Sequence, residues 1–150
     1  MIKNFTVLLM LFLSTTVYAA GDYFAGYAAY QSKDYYNAYK EWAGAAEAGD
    51  PRAMYRIGKM FEKGVGLPKQ PAYAKKMYRS AANKGHKASI KTLVAMADAG
   101  DRNAKKWVDN HPKQVDKVLG SKKKVSIADA ELEAEKEELS PFDFIGNLLK

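Results

Sequence analysis

Cysteine is absent from all 150 residues. That excludes a disulfide framework, a thiolate metal site, a thiol nucleophile and a lipid anchor that needs a Cys after its leader. Histidine is scarce, with only His86 and His111, and two His without a cluster of other ligands do not make a metal site. No cofactor or metal is expected. Catalysis by acid–base or nucleophilic chemistry needs a nucleophile beside a base, or two positioned carboxylates. The helical register brings neither His near a Ser or Cys partner, so both are expected at the solvated surface and the chain is read as non-enzymatic. Long apolar runs are also missing: the longest, Phe5 to Leu13, falls short of the ~20 residues a bilayer span needs.

That short run belongs to a leader. Lys3 supplies a positive start, and Val17-Tyr18-Ala19 places small residues where a signal peptidase requires them. Cleavage is expected after Ala19, with Ala20 as the alternative, so residues 1–19 are set apart as a signal peptide. An exported bacterial chain without Cys points to the periplasm, with secretion as the alternative.

What the chain does have is tyrosine, small residues and a repeat. Asp34 is a good N-cap, followed by an apolar stripe at Ala38, Trp42, Ala45 and Ala46 that ends at Gly49. Asp50-Pro51 opens the next helix, whose buried face is expected at Ala53, Ile57, Met60 and Phe61. Gly58 interrupts that helix, which calls for close approach of a neighbour. Adding 36 to Ala38, Trp42, Ala45, Ala46 and Gly49 lands on Ala74, Tyr78, Ala81, Ala82 and Gly85. The preceding helices match at 32, with Gly26 on Gly58, because the turn at Ser32-Lys33 is four residues shorter. Ser89, Leu93 and Val94 continue the pattern, and AGDRNAKKWV repeats the turn and cap of AGDPRAMYRI before a stop at Asn110-His111-Pro112. Helix pairs with so wide an apolar stripe must stack on one another.

The stretches AAEAGDPRAMYRIGKMFEKGVG (Ala45 to Gly66) and PAYAKKMYRSAANKGH (Pro71 to His86) resemble the Sel1-like repeat family, close kin of the tetratricopeptide repeat. The resemblance covers about Asp22 to Asn110, fully in the second repeat and partly in the first and third. It implies an all-α fold, a short αα-solenoid of about six helices over residues 20–112, followed by a tail over 113–150.

In the tetratricopeptide-like register the A-helix residues at offsets −3, +1 and +4 from Gly26, Gly58 and Val94 line the concave face. These are Tyr23, Tyr27 and Tyr30, then Tyr55, Lys59 and Glu62, then Lys91, Ala95 and Asp98, with Arg52 one turn before Tyr55. The tyrosines form one stripe suited to peptide contact, or else pack inside the first repeat. Arg52, Lys59 and Lys91 suit a partner's carboxylates, or else form an ordinary solvated face.

The tail changes character twice. Lys113 to Lys124 holds five Lys and one Asp, and Ile127 to Leu139 holds six acids and one Lys. Ser126 with Asp129 resembles a capping box, which allows a helix over Ile127 to Leu139. At the end Phe142, Phe144, Ile145, Leu148 and Leu149 form an apolar docking segment whose expected destination is a partner, a second copy, the chain's own groove or the last repeat. The basic run lacks interleaved aromatics, so nucleic acid is not expected and any contact with anionic lipid is expected to be weak. The function read here is a periplasmic adaptor that binds a protein or peptide partner in the concave face. The alternative is an immunity or inhibitor protein that neutralises a toxic enzyme, and a hydrolase ranks below both.

Overall fold

The computed structural model describes residues 21–120. The expected signal peptide at 1–19, the expected helix over 127–139 and the segment from Phe142 to Leu149 therefore lie outside the described residues. Within them every regular element is a helix: α1 (Tyr23–Gln31), α2 (Tyr35–Glu47), α3 (Pro51–Lys63), α4 (Pro71–Asn83), α5 (Lys87–Asp98), α6 (Arg102–Asn110) and α7 (Pro112–Leu119).

Local chemistry punctuates the chain. Asp22, Asp34, Asp50 and Asp101 each accept from a free amide at the start of a helix, and His86 does so through Nδ1. Three of the ends share one geometry. Gly49, Gly85 and Gly100 have φ of +96°, +82° and +93°. The amide of each binds the carbonyl three residues back, and the following amide binds the carbonyl five back, as in Asp50 N–H to Ala45 at 2.9 Å. These paired bonds satisfy carbonyls that a helix end leaves open. The turn after α1 makes the same bonds with Lys33 at φ +61° instead of a glycine.

The helices stack in two rows. The odd row is α1, α3, α5 and α7. Arg52 and Arg56 of α3 lie over the Tyr23 and Tyr27 rings of α1 at 4.3 and 5.2 Å, and α7 packs on α5. The even row is α2, α4 and α6. Lys75 of α4 pairs with Asp101, the cap of α6, at 2.6 Å, and Trp107 of α6 donates to Asn83 Oδ1 at 2.7 Å.

Between the rows runs the core: Ala38, Trp42, Ala53, Ile57, Met60, Ala74, Tyr78, Ala81, Ala82, Ile90 and Leu93 are all buried. Glycines on the odd helices let large rings of the even helices cross from row to row. Gly26 lies under the Trp42 ring, where a Cβ would come within 2.5 Å of it, and Gly58 lies under the Tyr78 ring in the same way. The chain is a short all-α solenoid, as its repeat pattern implies.

The tail boundary at Pro112 needs correction. Pro112 does not end the helical array; it opens α7, at the first helical position where its missing amide costs nothing. Val115 and Val118 of α7 pack against the core. The basic composition of 113–124 hid this apolar spacing. Lys113 and Lys117 are exposed on α7, and Val115 and Val118 hold it to the core.

Candidate functional site

On α3 the residues Arg52, Arg56, Lys59 and Lys63 are spaced four, three and four apart. At 3.6 residues per turn they form one stripe along the helix. Their neighbours Ala53, Ile57, Met60 and Phe61 are buried on the other side, which fixes the direction in which the stripe points. Lys87 and Lys91, one turn apart on α5, extend the positive surface, and Asp98 stands exposed at the end of that helix. At the other end, Tyr27 is half-buried and Phe24 is 39 % exposed.

Several of these side chains have positions fixed by neighbours. Arg52 makes a forked contact with Asp50, donating from Nη2 to Oδ2 at 2.7 Å and from Nε to Oδ1 at 3.2 Å. Burial alone would raise the Asp50 pKa. The Arg52 guanidinium and the amides of Arg52 and Ala53 outweigh it and hold the carboxyl below its ordinary value. Arg56 donates from Nε to the Tyr23 hydroxyl at 3.4 Å. Lys59 pairs with Glu62 at 3.4 Å, and Glu62 accepts from the buried Tyr78 hydroxyl at 2.8 Å.

The tyrosine stripe is corrected in part. Tyr23 is only 4 % exposed and Tyr55 only 2 %. Tyr23 and Tyr30 flank the Trp42 ring, with centroids 6.5 and 5.5 Å away, and Trp42 Nε1–H donates to the Tyr23 carbonyl at 3.0 Å. Tyr55 lies between the rings of Tyr78 and His86, at 5.5 and 5.0 Å. Tyr23 and Tyr55 are therefore core, and Tyr30 is half-buried against it; of the four, Tyr27 keeps the most direct place beside the basic stripe. Glu62 is likewise an internal acceptor for Tyr78. The spacing of four and three that marks a groove stripe marks a buried stripe equally well. The bulk of Trp42, admitted by Gly26, extends the core out to Tyr23 and Tyr30.

Register offsets alone also missed three bases, Arg56, Lys63 and Lys87. Their signal was present in the sequence as like charges at four-residue intervals beside Arg52 and Lys91.

Both histidines depart from the solvated surface expected of them. His86 meets Ser89, whose Oγ lies 2.9 Å from Nδ1 while its amide donates to the same nitrogen at 3.3 Å. Ser89 is fully buried, so this pair is a helix cap with no approach for a substrate. His111 stacks on Trp107 at 4.4 Å, with Nδ1 placed 2.8 Å from the Trp107 carbonyl. Among the described residues no group of three or more His, Asp or Glu is placed to hold a metal ion. Also among them, no helix is long and apolar enough to cross a membrane.

A second concavity lies on the even row, between α2 and α4 over α3. It encloses about 220 Å³ and is lined mainly by Tyr39, Ala43, Met54, Ile57, Tyr73 and Met77. The Phe61 ring braces it, touching Tyr73 at 4.5 Å and Tyr39 at 6.1 Å. Burial raises the Tyr39 pKa, with smaller contributions from Tyr73 and Glu47.

Two features mark the segment around α3 and α4: the glycine under an aromatic ring, and the glycine-rich loop. In the loop Gly64 ends α3 at φ +74°, and Gly66, at φ +68°, presses against Tyr35 of α2, where a side chain would collide with the ring. The family model of the Sel1 repeat matches residues 51–86. That Sel1 repeat comprises α3, the glycine loop, α4 and the turn to His86. Sel1 repeats are generally non-catalytic modules of protein–protein interaction. No curated protein matches the chain.

Proposed function

We propose that this chain is a non-enzymatic adaptor, exported to the periplasm, that holds an acidic segment of a partner protein along the odd-row face. The observation that carries this reading is the basic stripe of Arg52, Arg56, Lys59 and Lys63, with Lys87 and Lys91 beside it. A guanidinium recognises a carboxylate through two parallel bonds and an ammonium acts as a point charge, so the stripe suits an extended acidic segment. Tyr27 and Phe24 add apolar contact at one end. The positive start, short apolar run and small residues at Val17-Tyr18-Ala19 support export.

The test is cross-linking in intact bacterial cells with the full-length gene product as bait, followed by mass spectrometry of the periplasmic fraction. The expected bait begins at Ala20 and captures a discrete protein. An Arg56→Gln/Lys63→Gln/Lys91→Gln variant with an unchanged helical melt is expected to lose that protein. A bait that stays in the cytoplasm contradicts the location. Equal capture by the variant contradicts the binding face.

A further inference from the structure

We infer that the acidic segment of this chain's own tail, residues 129–138, occupies the odd-row face and competes there with the partner. The competition rests on the proposed function; the occupancy rests on charge and connectivity. Six of the chain's 17 acids fall between Asp129 and Glu138, at 129, 131, 133, 135, 137 and 138. The odd-row face carries six bases, Arg52, Arg56, Lys59, Lys63, Lys87 and Lys91. Among the described residues three acids border that face, Asp50 and Glu62 bound to Arg52 and Lys59 and Asp98 at its edge, and the six bases outnumber them.

Connectivity favours an occupant from the same chain. The last helix among the described residues is α7, which belongs to the odd row and packs on α5. The chain thus leaves the array at the end of the row that carries the bases. Eight residues, 121–128, separate Gly120 from Asp129. Extended, they reach up to about 26 Å. Neighbouring helices in a row lie about 10 Å apart, so α5 and α3 are both within range. A segment tethered so closely acts at an effective concentration of about millimolar, enough to fill a site of modest affinity. In helical form, Glu131, Glu135 and Glu138 fall on one side at the spacing of the α3 stripe. The tail is then an internal competitor, and a partner must outbid it in charge or contact area.

The absence of Cys allows a clean test. An Ala134→Cys variant of the full mature chain takes a single nitroxide label. Relaxation broadening of backbone amide signals then reports where the tail lies. The expected result is broadening along 52–63 and 87–91 in excess of α2, α4 and α6. It should vanish when the six tail acids are changed to Asn and Gln, and weaken in high salt. No broadening on α3 and α5, or broadening that survives neutralisation, overturns the inference. Mixing labelled chain with nitrogen-15 chain that lacks the label distinguishes a second copy; broadening in that mixture also overturns it.

Competition has its own readout. A fluorescent peptide of residues 127–139 is expected to bind the neutralised chain about tenfold or more tighter than the unaltered chain. Equal affinities contradict competition. Broadening with no partner capture through the same bases leaves the tail on its face and rejects the adaptor reading. Capture without broadening does the reverse.

Discussion

Gly58 lies against the ring of Tyr78, so that a Cβ at position 58 would sit 2.6 Å from Cε1. This contact joins α3 to α4 and has a counterpart in Gly26 and Trp42, 32 and 36 residues earlier. Ala is the better helix former by about 1 kcal/mol. Tyr78 is fully buried and has no room to retreat, and overpacking of such a site costs about 1–3 kcal/mol. Gly58→Ala is therefore expected to lower stability by up to about 2 kcal/mol, read as a lower urea midpoint at unchanged slope. An unchanged or higher midpoint would show that helix propensity wins and that the close approach is not needed.

Tyr78 has a second role through its hydroxyl, which donates to Glu62 at 2.8 Å. Tyr78→Phe leaves the packing intact and removes the bond, at an expected cost of about 1–2 kcal/mol because Glu62 is partly buried. A double-mutant cycle with Glu62→Gln should give a coupling well above zero. Additive effects would place Glu62 outside the core network and return it to the binding face.

Lys33 stands where the other turns of this geometry have glycine. Its φ of +61° is unfavourable for a residue with a Cβ, and the bonds from Lys33 and Asp34 amides to Tyr30 and Ala29 hold it there. Lys33→Gly is expected to stabilise the fold by about 0.5–1 kcal/mol, once the greater freedom of the unfolded glycine is counted. Gly49→Ala, at φ +96°, is expected to do the opposite. Chemical denaturation of both variants checks the pair; a loss of stability in Lys33→Gly would contradict it.

Asp50 and Asp101 both have carboxyls held below the ordinary value of 3.8. For Asp101 the hydrogen bond from Lys75 is the main cause, with the Ala104 amide next. A carboxyl whose folded pKa is lowered contributes stability that is present above its unfolded value. That contribution is lost as pH falls through the folded value. The melting temperature is therefore expected to fall as pH drops from about 5 to about 3. Asn keeps the capping oxygen but does not titrate. Asp50→Asn with Asp101→Asn should accordingly flatten this slope. A slope unchanged by both substitutions would assign the acid sensitivity to other groups.

The helices were legible in the sequence because their ends are written in residues with few alternatives. The Gly-Asp pairs at 49–50 and 100–101 and the Ala-Trp-Ala stripe of α2 carry their conformations locally. The glycine at 58 announced a close contact, which Tyr78 provides. The candidate site was less legible. Tyr23 and Tyr55 share the helical spacing of Tyr27, and only the positions of Trp42 and His86 decide that the first two are buried. The partners of both histidines are local, Ser89 three residues after His86 and Trp107 four residues before His111, but neither spacing is a familiar capping or stacking signature. The valines of α7 were spaced for a helix, but the surrounding lysines gave the segment the composition of a linker.

The central claim is that the odd-row bases bind an acidic partner segment. Its most direct measurement is the affinity of the captured partner for three full-length chains at low and high salt. These are the unaltered chain, Arg56→Gln/Lys63→Gln/Lys91→Gln, and Lys40→Gln/Lys76→Gln/Lys106→Gln on the even row. The account predicts that the odd-row variant alone loses affinity by about tenfold or more and loses the salt dependence with it. Equal affinity for all three chains, or a loss confined to the even-row variant, would contradict it and direct attention to the groove beside Tyr39 and Tyr73.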